Sequence, residues 1–285
     1  MKNNVYSFSS VSIDLINNNV FLGGPPNYGG SILHLLSNNF NLNFINISNI
    51  SKKDFYENII LLKHIIPNYV PETVCFNLKL FKNKRVVKLN SKPFRISTDQ
   101  NLDLTNSTII VSPIINEFNI LFFKKIFSQK PKFIFLDLFN NDDGVFKKQE
   151  LLLLKQIIAL SKKYFVKVFF KLSDKEYFGL DKNILENMDY ILLTKGCNGA
   201  DILKNNVLFF SDSGYDVIEK SSVGAGDVFL YSFVGYYLKK ASLKKSLKFA
   251  NKIASSSVMF NTFDQFYLYL NKKINKGDFF ENNFK

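Results

Sequence analysis

From residue 108 the chain alternates between short, almost wholly apolar runs and longer segments with apolar residues at helical spacing. The apolar runs cover 108–112, 133–139, 165–171 and 190–194, and the helical segments between them cover 117–128, 147–163 and 174–186. A strand that is apolar on both faces has no side to give to water. It belongs in a parallel sheet covered by helices above and below. This pattern predicts an α/β fold before any single residue is considered.

The flanking segments are read the same way. A strand is expected over 5–15, a turn rich in glycine and proline over 23–30, a helix over 31–38, a strand over 43–47 and a helix over 52–66 stopped by Pro67. Residues 73–80 and 85–89 read as a hairpin that interrupts the alternation, so it is placed off the main sheet. Two helices are expected after Asp227, and the aromatic, basic tail from Phe260 carries no readable role. The whole of 1–285 is expected to be one domain.

Composition narrows the function classes. The formal charge is +13, but the lysines fall in ones and twos with no basic block. That reads as compositional bias, as do 31 Phe and no Trp, rather than as a nucleic-acid surface. The two cysteines, Cys75 and Cys197, and the two histidines, His34 and His64, offer neither a disulfide framework nor a metal-binding spacing. No apolar run is long enough to span a bilayer. A cytoplasmic protein without nucleic-acid or membrane partners is expected.

Five places carry chemistry. In Gly224-Ala225-Gly226-Asp227, which opens an apolar helix, first-turn N–H groups have no partner within the helix and favour an anion. Asp227 would repel that anion, unless its task is to take a proton beside it. The bland alternative is an acidic first-turn residue favoured by the helix dipole. The turn Gly23-Gly24-Pro25-Pro26-Asn27-Tyr28-Gly29-Gly30 lacks dinucleotide-binding spacing and is otherwise a simple strand-to-helix connection. Asp14 stands near the end of the first strand, where an acid is ordinarily just solvated. The segment Thr194-Lys195-Gly196-Cys197-Asn198-Gly199 leaves the carboxyl end of a buried strand, where open α/β sheets place ligands. Lys171-Leu172-Ser173-Asp174-Lys175-Glu176 also stands at the carboxyl end of a strand, and its Ser173 and Glu176 have the spacing of a capping box.

Taken in order, these residues resemble the ribokinase/PfkB family of sugar and nucleoside kinases. Asp14, Gly23-Gly24 with Asn27, the hairpin, Pro113 and Glu117, Asp137, Glu176, Thr194-Lys195-Gly196 with Gly199, Gly224 to Asp227, and Phe249-Ala250-Asn251 carry the resemblance. It implies a ribokinase-like three-layer sandwich with a central, mostly parallel sheet and a small β-hairpin lid made of 70–97 with part of 12–22. It also implies transfer of the ATP γ-phosphoryl group to a hydroxyl, with Asp227 as base and the backbone of Gly224, Ala225 and Gly226 as anion hole. Asp14, Gly23, Gly24 and Asn27 would bind the hydroxylated substrate. Thr194, Lys195, Gly196, Gly199 and Asn251 would bind the nucleotide, and Glu176 would act on Mg²⁺ through water. The lid edges offer a route to a homodimer.

The chain departs from the family where Asp-x-Thr usually precedes the glycine turn. Ser221, Ser222 and Val223 stand there, and Ser173 replaces the usual Asn of Asn-x-x-Glu. Those replacements support a second reading, a weakened or inactive descendant serving as a ligand-binding or scaffolding module.

Overall fold

The computed structural model describes residues 2–16, 19–81, 84–96, 102–137 and 145–276, with backbone alone for 79–81 and 84–87. Its strands are β1 (Asn3–Ser10), β2 (Ser12–Ile16), β3 (Asn19–Gly23), β4 (Leu42–Ser51), β5 (Ile65–Val70), β6 (Val74–Phe81), β7 (Lys84–Leu89), β8 (Thr108–Val111), β9 (Phe133–Asp137), β10 (Lys167–Ser173), β11 (Tyr190–Thr194), β12 (Ala200–Lys204) and β13 (Val207–Asp212). Its α-helices are α1 (Ser31–Phe40), α2 (Lys52–Glu57), α3 (Ile120–Ser128), α4 (Lys148–Tyr164), α5 (Asp174–Phe178), α6 (Lys182–Glu186), α7 (Ala225–Lys240), α8 (Leu243–Ser257) and α9 (Phe263–Asn275).

Nine strands form the central sheet, in the order β13-β12-β11-β10-β9-β8-β1-β4-β5. From β5 to β11 every neighbouring pair is parallel, and β12 and β13 extend the sheet as an antiparallel pair. The order reverses at β1, which pairs with β4 on one side and β8 on the other. A crevice opens at the carboxyl ends of the strands at such a reversal.

The expected two-sided burial is present residue by residue. Phe8, Ile109, Ile134, Val168 and Ile191 pack with α3 and α4 on one face. Val5, Ile110, Phe135, Phe169 and Leu192 pack with α1, α7, α8 and α9 on the other. Burying each such side chain contributes about 1.5–3 kcal/mol. Across the second face Phe135, Phe169 and Tyr190 stack with centroids 4.5 and 4.6 Å apart, which adds shape specificity to the sheet order.

A separate four-stranded sheet, in the order β3-β2-β6-β7, is made of the hairpin and the segment after β1. Here β2 runs parallel to β6, while β2-β3 and β6-β7 are antiparallel.

Several local expectations are corrected. The single strand over 5–15 is two, β1 in the main sheet and β2 in the small one, so Asp14 lies inside β2. The helix expected over 52–66 ends at Glu57, and Pro67 sits inside β5 rather than stopping a helix. The apolar spacing of Ile59 to Leu62 imitates a helix face, but only Leu62 is buried, and Ile60 is 82% exposed. Proline is tolerated in β5 because this strand is the sheet's edge. The helix expected over 174–186 is split into α5 and α6. Of the strand expected to reach residue 139, residues 138 and 139 lie outside the described residues. The tail forms α9, which buries Phe266, Leu270 and Ile274, and residues 277–285 lie outside the described residues. Among the described residues no helix is long and apolar enough to cross a membrane.

Candidate active site

A cavity of about 380 Å³ lies where the carboxyl ends of β9, β10 and β11 meet the start of α7 and the inner face of the small sheet. Asp14, Gly24 and Tyr28 line one part of it, and Lys171, Asp137, Gly224, Gly226 and Asp227 another. Phe76 and Leu78 of β6 and Ile114 and Ile115 after β8 add apolar wall. A larger surface hollow of about 520 Å³ opens at the amino-terminal ends of β10 and β11. It is lined by Lys162, Lys167 and Lys204 and contains none of the glycine turns. The glycine turns and Asp14, Asp137 and Asp227 meet instead at the cavity at the carboxyl ends.

Asp14 is 4% exposed. Its Oδ1 accepts from Ser12 Oγ at 2.8 Å and its Oδ2 from Tyr28 OH at 3.1 Å. Gly23 leaves room for this carboxylate, because a Cβ there would overlap Asp14 and Ser12. Residues Pro26–Gly30 form one wide π-helical turn that runs straight into α1, so the predicted turn is helical. Asn27 is buried in that turn and donates its amide to Leu22 O at 2.9 Å; its side chain fixes the turn and does not line the cavity. His64 Nε2 lies 3.0 Å from Pro26 O on the turn's outer side, and burial pushes its pKa down to about 4.

The second glycine turn begins with Gly224, the N-cap of α7, at φ +78°. That left-handed conformation suits glycine. A Cβ at this point would also collide with the Tyr28 ring. Tyr28 thus joins the two turns, with its hydroxyl on Asp14 and its ring against Gly224. Gly226 and Asp227 occupy the first turn of α7, whose N–H groups have no acceptors within the helix. The N–H of Ala225 donates to Ser222 O at 3.2 Å, so the serine segment braces the turn through its backbone.

Lys171 and Asp137 pair across β10 and β9, with Nζ at 2.9 and 2.8 Å from the two carboxylate oxygens and 13% exposure on both side chains. Burial alone would lower the Lys171 pKa, but Asp137, Glu176 and Asp227 outweigh it and hold the ammonium above its usual range. Glu176 is 3% exposed. It forms the expected capping box, its Oε2 accepting from the N–H and hydroxyl of Ser173 at 2.7 and 2.8 Å. Burial raises its pKa, and Lys171 opposes that rise. Its Oε1 is buried without a hydrogen-bond partner.

Thr194 lines the cavity, and its hydroxyl donates to Leu172 O at 3.2 Å. Lys195, Gly196, Gly199 and Asn251 lie beyond it, outside the cavity lining. Lys195 pairs with Asp201 at 2.6 Å. Gly196, at φ +55°, faces open space, and Gly199 packs beneath the loop that leaves β13. Asn251 holds that loop by donating to Asp212 Oδ2 at 2.7 Å and Ser213 O at 2.8 Å.

Sequence reading missed Lys171 and Tyr28 as site residues, and Glu117 as the support of a wall. Glu117 is 1% exposed, and its Oε2 accepts from the N–H groups of Ile114 and Ile115, which fixes the cavity wall. Among the described residues no group of three His, Cys, Asp or Glu side chains is arranged to hold a metal.

No family model and no curated protein matches the sequence. Solved structures do match the fold. A pyrophosphate-dependent kinase in the ribokinase family, complexed with a pyrophosphate analog and myo-inositol, is similar at TM-score 0.71 and 18% identity over 90% of this chain and 96% of the other. An uncharacterized sugar kinase from Pyrococcus horikoshii in complex with ATP is similar at 0.69 and 20% over 91% and 93%. The Methanocaldococcus jannaschii nucleoside kinase, an archaeal member of the ribokinase family, is similar at 0.61 and 18% over 95% and 98%. The parallel sheet, its reversal at β1 and these full-length likenesses agree: the chain has the ribokinase fold.

Proposed function

We propose that the protein is a kinase that moves the terminal phosphoryl group of ATP to a hydroxyl of a small sugar, polyol or nucleoside. The single observation that carries this reading is that Asp14 and Asp227 line one cavity together with the glycine turn of α7. A buried carboxylate with fixed donors suits the hydroxyls of an acceptor, and a helix start suits a phosphate.

In the step itself, the acceptor oxygen forms a bond to the terminal phosphorus. The bond from that phosphorus to the donor's bridging oxygen breaks, its electron pair leaves with the shortened donor, and the acceptor proton goes to Asp227. The N–H groups of Gly226 and Asp227 in the first turn of α7 face the phosphoryl oxygens, where fixed dipoles are worth more than in water, while that of Ala225, expected in the anion hole, is taken by Ser222 O. Phe76 and Leu78 cover the acceptor with apolar surface and limit water, which otherwise competes as acceptor.

The donor set fits a magnesium ion held mainly by phosphates, because the orphaned Glu176 Oε1 suits a metal-bound water rather than direct ligation. Such an ion would neutralise donor charge. Thr194 would face the donor phosphates, with the 196–199 turn and the Asn251-held loop beyond it for the nucleotide. The outer edges of the small sheet, β3 and β7, are where a second copy would pair.

One fold neighbour uses pyrophosphate, so the test offers both donors. Purified protein with Mg²⁺ and either ATP or pyrophosphate is given a panel of sugars, polyols and nucleosides, and release of ADP or phosphate is followed. Turnover with at least one acceptor is expected. Asp227→Asn should keep donor binding and lower kcat by about 10²–10⁴-fold, the range for a general base. Background release across the whole panel would instead favour the ligand-binding module suggested by Ser221, Ser222 and Val223.

A further inference from the structure

The phosphoryl-transfer reading leaves a charge problem, and the following inference rests on that reading. Asp137, Glu176 and Asp227 all act on one ammonium, that of Lys171. A donor phosphate entering beside Asp137 and Asp227, which both line the cavity, meets repulsion unless a cation is already there. Among the described residues that line the cavity, Lys171 is the basic side chain.

Its position is specific. Two of the three ammonium donors go to Asp137, at 2.9 and 2.8 Å. On its other side the ammonium lies against the α7 turn, 2.9 Å from where a Cβ would stand on Gly226. Gly226 thus makes room for the ammonium beside the N–H groups that suit an anion. An ion pair buried purely to hold strands together adds little, because desolvation cancels most of the attraction. A pair that fixes a charge toward an open cavity has a different use.

We propose that Lys171 is a phosphoryl-binding residue, its ammonium held by Asp137 against Gly226 so that the remaining donor contacts the transferred group. It acts as a built-in cation beside a segment, Ser221 to Val223, that has no carboxylate with which to hold a mobile one. The ligand chemistry is a terminal phosphate, whether of a nucleotide or of pyrophosphate.

The test measures binding without turnover. Inorganic pyrophosphate and ATP, each with Mg²⁺, are titrated by calorimetry into the wild type, Lys171→Met and the double variant Lys171→Met/Asp137→Asn. The double variant removes both charges of the pair, so Asp137 is not left as a buried acid without its cation, while Glu176 keeps its two Ser173 donors; thermal melting checks that the variant folds. Its affinity for both anions should fall by about 10- to 100-fold, the loss expected for one charge-assisted contact. Equal weakening assigns Lys171 to the shared phosphate, and weakening for ATP alone places the contact on the nucleotide. Wild-type affinity in the double variant makes Lys171 a structural residue and overturns the proposal, as does a wild type that binds neither anion. As a check that needs no folded double variant, the Lys171 ¹⁵Nζ resonance, assigned with Lys171→Arg, should shift when pyrophosphate is added to the wild type, and an unmoved resonance counts against it. Phosphate binding through Lys171 without transfer to any acceptor would keep this inference and remove only the kinase reading.

Discussion

The Tyr28 hydroxyl donates to Asp14 at 3.1 Å, while the ring of the same residue fills the space where Gly224 would carry a side chain. One side chain therefore sets the spacing between the carboxylate that suits the acceptor and the turn that suits the phosphate. A shift at either turn is felt at the other, because cores deform little.

Tyr28→Phe keeps the ring and removes the donor. Asp14 then retains Ser12 but loses the Tyr28 donor on a buried carboxylate, a contact worth about 1.5–3 kcal/mol. The acceptor KM should rise by about 10- to 100-fold while the donor KM stays within about twofold. Steady-state kinetics with each substrate varied in turn measures this, and an equal rise in both constants would contradict the assignment.

Gly224→Ala places a Cβ at φ +78° and into the Tyr28 ring. The backbone term alone costs about 1–2 kcal/mol, before the clash is added. Melting temperature and transfer should both fall, and Tyr28→Ala in the same chain should restore part of the stability and none of the acceptor binding. No recovery in the double variant would show that the ring is not what fills the space.

Asn251→Ala removes two hydrogen bonds that hold the loop after β13 over Gly199. Nucleotide affinity should fall by about tenfold with acceptor binding unchanged, given about 0.5–1.5 kcal/mol for each neutral bond and more to a carboxylate. Calorimetry with ADP reads the effect, and an unaltered affinity would mean that the loop does not shape the nucleotide site.

Two buried groups make opposite contributions to stability with pH. The Glu117 carboxyl is pushed up to about 7 from an ordinary 4.5, chiefly by burial. The folded state then holds the extra proton, so this contribution is full below pH 4.5 and is lost as pH rises to about 7, on the order of 3 kcal/mol in all. His64 is pushed down to about 4 from 6.5, chiefly by burial, so its contribution is full above 6.5 and is lost as pH falls toward 4. Between pH 4.5 and 6.5 the two slopes oppose each other. Glu117→Gln should unmask the histidine, giving a melting temperature that climbs more steeply with pH up to 6.5 than in the wild type and does not drop between 6.5 and 7. Identical pH profiles for the two proteins would rule out this role for Glu117.

The features legible from sequence are those whose physics is local. Two-sided apolar strands required a covered parallel sheet, and Gly224 to Asp227 marked a helix start. Ser173 and Glu176 formed their capping box for the same reason, since its partners lie three residues apart. Where local pattern was ambiguous, it misled. The spacing of Ile59 to Leu62 imitated a helix, and Pro67 imitated its stop, because nothing nearby in sequence shows that β4 lies alongside to pair with β5.

Tertiary structure alone decided the electrostatics of the site. A lysine in a strand reads by type as a solvated residue, and Lys171 is a cavity cation only because β9 brings Asp137 beside it and α7 brings Gly226 over it. Asn27 had the right type for a ligand contact, yet the helical turn it sits in directs its amide to Leu22. Tyr28 gave no signal, because its role depends on two turns separated by almost two hundred residues. The sequence by itself determined the layers, the glycine turns and the acids at their ends, since propensity and periodicity act over a few residues. Which of those groups share one cavity, and which cation stands among them, was decided by packing the strands side by side.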